Sequence, residues 1–115
     1  MQTNTPLQAL VLLNDPQYLK AAGSLARRMI ADGGDTTASR ISHAFRLATA
    51  RKPNPNELDI LTAAFEREKA RFASDPVATK DLLQESENTG NDPELAAFTM
   101  IASTILNLNE TITKQ

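Results

Sequence analysis

Apolar residues recur along this chain at intervals of three and four, the spacing that lines one side of an α-helix. The pattern is strongest at the end. From Asp92-Pro93 to about Ile112, the residues Phe98, Ile101, Ile105, Leu108 and Ile112 share a narrow arc. Leu95, Ala102 and Leu106 widen that arc to about half of the circumference, more than a single neighbouring helix covers. A segment patterned in this way belongs at the centre of a bundle, with the other helices packed around it.

The prolines punctuate the rest. Five of the six follow a capping residue, in Thr5-Pro6, Asp15-Pro16, Asn54-Pro55, Asp75-Pro76 and Asp92-Pro93. Proline is tolerated at the first helical position because the N–H it lacks has no partner there, and the preceding Thr, Asp or Asn accepts from the free amides of that turn. Six helices are predicted. The first runs from Pro6 to about Leu13, with Leu7, Leu10, Val11 and Leu13 apolar. The second runs from Pro16 to about Asp32. It sets Tyr18, Leu19, Ala22, Leu25, Ala26, Met29 and Ile30 against Gln17, Lys20, Ser24 and Arg28, and Gly33-Gly34 stops it with a left-handed cap.

The third helix starts near Asp35-Thr36, buries Ile41, Ala44, Phe45 and Ala48, and is ended by Pro53. Asn54-Pro55-Asn56-Glu57 is a capping-box start, from which a fourth helix carries Leu58, Leu61, Phe65 and Phe72 to about Ala73. A short fifth helix from Pro76 to about Gln84 offers Val77, Leu82 and Leu83. The small polar stretch from Ser86 to Asn91 is expected to be the most mobile. No segment alternates with the period of a strand. The expected fold is all-α: a single domain over residues 1–115, a compact bundle of about six helices around a central C-terminal helix. A chain of this length should have a radius of gyration near ~13 Å.

Two details concern how the bundle closes. The short Asn14-Asp15 connection implies a sharp corner between the first two helices. Asn109 interrupts the apolar arc of the last helix, and a buried amide without partners costs about 1–3 kcal/mol. Asn109 is expected either to bond backbone groups at that corner or to lie in water where the helix frays.

Composition removes several classes of activity. The net charge is −2 and no basic stripe appears, so there is no electrostatic case for nucleic acid. The absence of cysteine excludes disulfides, thiolate zinc sites, cysteine nucleophiles and covalent c-type haem attachment within these residues. No apolar run reaches membrane-spanning length and none reads as a signal peptide, so no membrane insertion by this segment is expected. The abrupt opening at a helix-start signal suggests a C-terminal piece of a larger protein.

The opening residues Thr3-Asn4-Thr5-Pro6-Leu7-Gln8-Ala9-Leu10-Val11-Leu12-Leu13-Asn14-Asp15-Pro16 closely resemble the signature of a planctomycete-specific domain of unknown function. Arg40-Ile41, Ala44-Phe45-Arg46, Arg51-Lys52-Pro53 with Glu57, and Leu106-Asn107-Leu108-Asn109-Glu110 look like the same pattern. Thr111 departs from it, standing where the family usually has Phe. The resemblance covers nearly the whole chain but only the terminal portion of the family domain. It implies an exported, cell-envelope parent, often carrying cytochrome-c-like modules. It implies no established reaction and no catalytic residue.

Residue by residue, the chemistry is sparse. His43 is the sole histidine and projects away from the buried face of its helix, among Ser39, Arg46 and Ala50. The plain reading is a surface or subunit-facing side chain. The sharper one is an axial ligand to a non-covalent haem, with Met29 or Met100 opposite. Glu66 and Glu68 among Arg67, Lys69 and Arg71 read as solvated charge with pairing along one helix. Asp81, Glu85 and Glu87 lack calcium-loop spacing. Arg27-Arg28 reads as a solvent-facing edge. No phosphate loop, nucleophile elbow or metal motif is present.

No catalytic residue, metal ligand or cofactor is therefore assigned. The expected function is a helical structural or interaction module. Its partners would be the remainder of a larger parent protein or a second copy. The alternative is a ligand- or haem-binding redox-accessory domain.

Overall fold

Side chains that accept from the first free amides set the helix starts. Thr36 accepts from the Ser39 N–H at 3.0 Å while Ser39 Oγ accepts from the Thr36 N–H. Asn54 and Glu57 exchange the same pair at 2.8 and 2.9 Å. Asp75 caps Ala78, and Asp92 caps Glu94. These caps are local, which is why the sequence displays them. The computed structural model describes residues 16–113, with side chains over 19–108.

Five helices, not six, run through the described residues: α1 (Pro16–Asp32), α2 (Thr37–Thr49), α3 (Pro55–Ala73), α4 (Pro76–Glu85) and α5 (Pro93–Thr113). Among those residues there is no strand. The expected helix from Pro6 to Leu13, the Asn14-Asp15 corner, the side chain of Tyr18 and the Asn109 hydrogen bond lie outside them. The radius of gyration is 13.1 Å, the compactness expected for this chain length.

α5 is the axis of the bundle. Every residue from Ala96 to Ile105 is buried, on all faces of the helix, and α1, α2, α3 and α4 all touch it. The main cluster joins Leu25, Met29, Ile41, Phe45, Leu61 and Phe65 to Phe98, Ile101 and Ile105. Phe65 and Phe98 meet with ring centroids 4.3 Å apart and planes tilted by 31°. Met100 lies off the main apolar arc and is buried nonetheless. α4 covers that side, and Met100 packs with Leu19, Phe72, Leu82 and Leu83 in a second cluster. Hydroxyls in this dry surrounding bond back to their own helix: Thr99 donates to the Leu95 carbonyl at 2.8 Å and Thr104 to that of Met100 at 3.1 Å.

Two expectations are corrected. α2 stops at Thr49, ahead of Pro53, because Ala50 adopts a left-handed conformation (φ 64°) and its N–H closes on the Arg46 carbonyl. Val77, expected on the packed face of α4, is 71 % exposed, and Leu82 and Leu83 carry that face instead.

The segment after α4 is anchored over residues 86–88. Ser86 and Asn88 are buried. The Asn88 N–H donates to the Leu83 carbonyl at 2.7 Å, its side-chain amide donates to Ser86 Oγ, and Arg27 of α1 donates to Asn88 Oδ1. α1 approaches so closely that a Cβ on Gly23 would lie 2.3 Å from the Ser86 carbonyl oxygen. Glycine in mid-helix is the condition for this contact. Arg27 thus ties α1 to the loop while it and Arg28 remain on the exposed edge that the sequence suggested.

Candidate functional site

Ile41, Ala44 and Phe45 turn one side of α2 into the core. Helical periodicity then leaves Ser39, His43, Arg46, Leu47 and Ala50 on the opposite side. Three open hollows flank this outward face. A polar one of about 380 Å³ lies where the end of α1 meets α2 and the α2–α3 connection, and Asp32, Gly33, Ser39, Ser42, His43, Arg46 and Lys52 line it. His43, Arg46, Leu47 and Ala50 line the next, of about 330 Å³. The third, about 290 Å³, lies between α1, α2 and α5, against Ala21, Ser24, Leu25, Arg28, Leu47, Ala48 and Leu106. His43 and Arg46 are shared by the first two, and Leu47 by the last two. The outer face of α2 therefore carries a strip that grades from polar to apolar.

Two features of the strip are chemically distinctive. Leu47 is 44 % exposed, beside the apolar hollow. His43 is half-buried, and its Nε2 is enclosed without a hydrogen-bond partner. An unpaired buried polar group of this kind costs about 1–3 kcal/mol.

The methionines named as possible partners of His43 lie elsewhere. Met29 packs in the main cluster and Met100 in the second, and neither lines the hollows beside His43. The structure does not bring a His/Met pair to a common cavity there.

Among the acids, Glu68 accepts from Arg71 at 2.6 Å, while Glu66, Arg67 and Lys69 are exposed, as a solvated helix face requires. Asp81, Glu85 and Glu87 are exposed. Among the described residues no group of three or more histidine, aspartate and glutamate side chains is placed to hold a metal ion.

The firmest electrostatic contact is at the turn from α2 to α3. Arg51 donates through both terminal nitrogens to Glu57 at 2.9 Å, and its guanidinium carbon sits 4.8 Å from the centre of the Phe45 ring. Hydrogen bonds from Arg51, chiefly, and from the Asn54 backbone hold the Glu57 carboxyl below its usual range against some desolvation. The same bond raises the Arg51 pKa. The fork ties the end of one helix to the start of the next, and it closes on Phe45 of the core.

Sequence reasoning singled out His43 but missed Asp32, Ser42 and Lys52 as its neighbours around one hollow. Asp32 closes α1 and Lys52 follows α2, and only the α1–α2 packing sets them on either side of His43.

No helix among the described residues is long and apolar enough to cross a membrane. In comparison with known proteins, the model of a family described as protein of unknown function (PSD1, DUF1553) matches residues 1–65. That span includes the opening motif and ends within α3, so the closing Leu106–Glu110 motif lies outside it. No curated protein and no solved structure matches the chain.

Proposed function

The chain belongs to the DUF1553 family of proteins of unknown function, and we propose that it is a helical structural and interaction module without catalytic activity of its own. It would complete a larger exported protein of the planctomycete cell envelope, in a family context that includes cytochrome-c-like modules. Its partner would be the remainder of that parent or a second copy.

The observation that carries this reading is the apolar hollow on the outer face of α2, where the exposed Leu47 stands beside Ala21, Leu25, Ala48 and Leu106. Exposed apolar surface in a concavity is what a packing partner covers. The interior supports the reading too. The axis of the bundle is filled by α5, and Thr36, Asn54, Asp75 and Asp92 serve as caps.

Sedimentation of the chain and of its Leu47→Lys variant tests the proposal. Concentration-dependent association, or binding of an apolar dye, that the substitution reduces supports it. A monomer that binds no dye and behaves identically with lysine at that position removes it. An absorption spectrum recorded before and after haem addition separates this module from a haem-binding one, for which a Soret band would have to appear and saturate.

A further inference from the structure

We infer that the apolar hollow between α1, α2 and α5 is reversibly capped by the chain's own residues 6–13, which a partner displaces in order to dock. The inference rests on the reading of that hollow as a docking surface, and adds what regulates access to it.

The hollow lies where the cover over α5 gives out. Every residue from Ala96 to Ile105 is buried, whereas Leu106 and Leu108 are only partly so. Leu106 meets Ala21, Leu25, Leu47 and Ala48 around a space of about 290 Å³. Of the three hollows beside α2, this one alone is lined mainly by apolar side chains.

The occupant follows from what precedes α1. Residues 1–15 lie outside the described structure, and among them Leu7, Leu10 and Val11 stand at helical spacing with Leu12 and Leu13 beside them. A run so apolar is covered in a folded protein rather than left in water. It joins α1 through Asn14-Asp15 alone. α1 itself forms one wall of the hollow, from Ala21 to Arg28. At roughly 1.5 Å per residue, that wall lies about 7.5 to 18 Å along the helix from Pro16, while a helix over residues 6–13 spans about 12 Å. A segment that doubles back at Asn14-Asp15 therefore reaches the hollow without stretching. So short a link also gives it a local concentration on the order of millimolar.

The same shortness makes the cap displaceable. A helix of this length falls below the ~12–15 residues that sustain one in water, so it holds only while seated and leaves as a unit. Association through the hollow is then weakened in proportion to the fraction of chains that stand open.

Contacts read in the parent chain test the seat directly. Nuclear Overhauser effects are expected from the methyls of Leu7, Leu10 and Val11 to those of Leu25, Leu47 and Leu106. They should be absent between chains when labelled and unlabelled protein are mixed. Displacement is read from the double variant Leu10→Asp/Val11→Asp. Its association midpoint should move to lower concentration and its uptake of anilinonaphthalene sulfonate should rise, and adding Leu47→Lys should cancel both changes. Missing contacts, or contacts found only between chains, overturn the inference. Association that the double substitution weakens overturns it too, since the segment is then a bridge between copies. Contacts within one chain, with no gain in association or dye uptake, make the segment a fixed part of the bundle and overturn displacement. The module reading fails separately, where Leu47→Lys alters neither association nor dye uptake in the parent chain or in the double variant.

Discussion

Ala50 holds a left-handed conformation that an L-residue with a side chain reaches at a cost of about 1–2 kcal/mol, and it does so to end α2 on the Arg46 carbonyl. Ala50→Gly removes most of that strain while loosening the unfolded chain, and it should stabilise by up to about 1 kcal/mol in urea unfolding. Glu57 makes the opposite kind of contribution. Its folded pKa lies below the unfolded value, so its stabilisation is complete above about pH 4.3 and is lost as pH falls through the depressed folded value. Arg51 is half exposed, which limits the effect to about 1 kcal/mol or less. Glu57→Gln should therefore lower the urea midpoint at pH 7, with the difference from the parent chain narrowing as the pH falls below about 4.3. Glu57 was legible because a capping box is written in four adjacent residues. Ala50 was not, since the residue type that normally announces a left-handed cap is glycine, and Pro53 offered a simpler stop.

At the scale of elements, the helix starts could be read from single capping side chains, and the faces of α1, α2 and α3 from their periodicity. What escaped was contact between elements distant in sequence. Arg27 and Asn88 are 61 positions apart, and no local pattern links them. A glycine in mid-helix, as at Gly23, ordinarily weakens the helix, yet here its missing side chain admits the Ser86 carbonyl. Gly23→Ala should cost about 1–3 kcal/mol, because the atom it strikes is backbone rather than a flexible side-chain end. Amide hydrogen exchange at 86–88 should accelerate in the same variant, as the loop is pushed from α1. The composition of the loop suggested mobility; what it could not show is that Ser86 and Asn88 are buried and hydrogen-bonded against a bare helix surface. Val77 failed for a related reason. A helix as short as α4 has one narrow packed face, which Thr79, Leu82 and Leu83 already fill.

For the whole molecule, the central place of α5 was legible in its breadth of apolar residues, and the burial of Ile101 and Ile105 follows it. The burial of Met100 required α4, whose position no periodicity gives. Ile101→Ala should destabilise by about 2–5 kcal/mol, read from the urea midpoint, because helices on several sides of the cavity cannot all move inward together. The polar hollow was invisible in the sequence for the same reason. It exists only where the end of α1, the face of α2 and Lys52 come together, and nothing in the run from Asp32 to Lys52 states that separation in space.

Since α1 to α4 all bury surface against a segment that follows them in the chain, ribosomal synthesis delivers their shared partner last. Until residue 105 has emerged, the nascent polypeptide shows its greasy faces to chaperones and proteases, and a premature stop codon anywhere upstream of Pro93 yields a product marked for degradation.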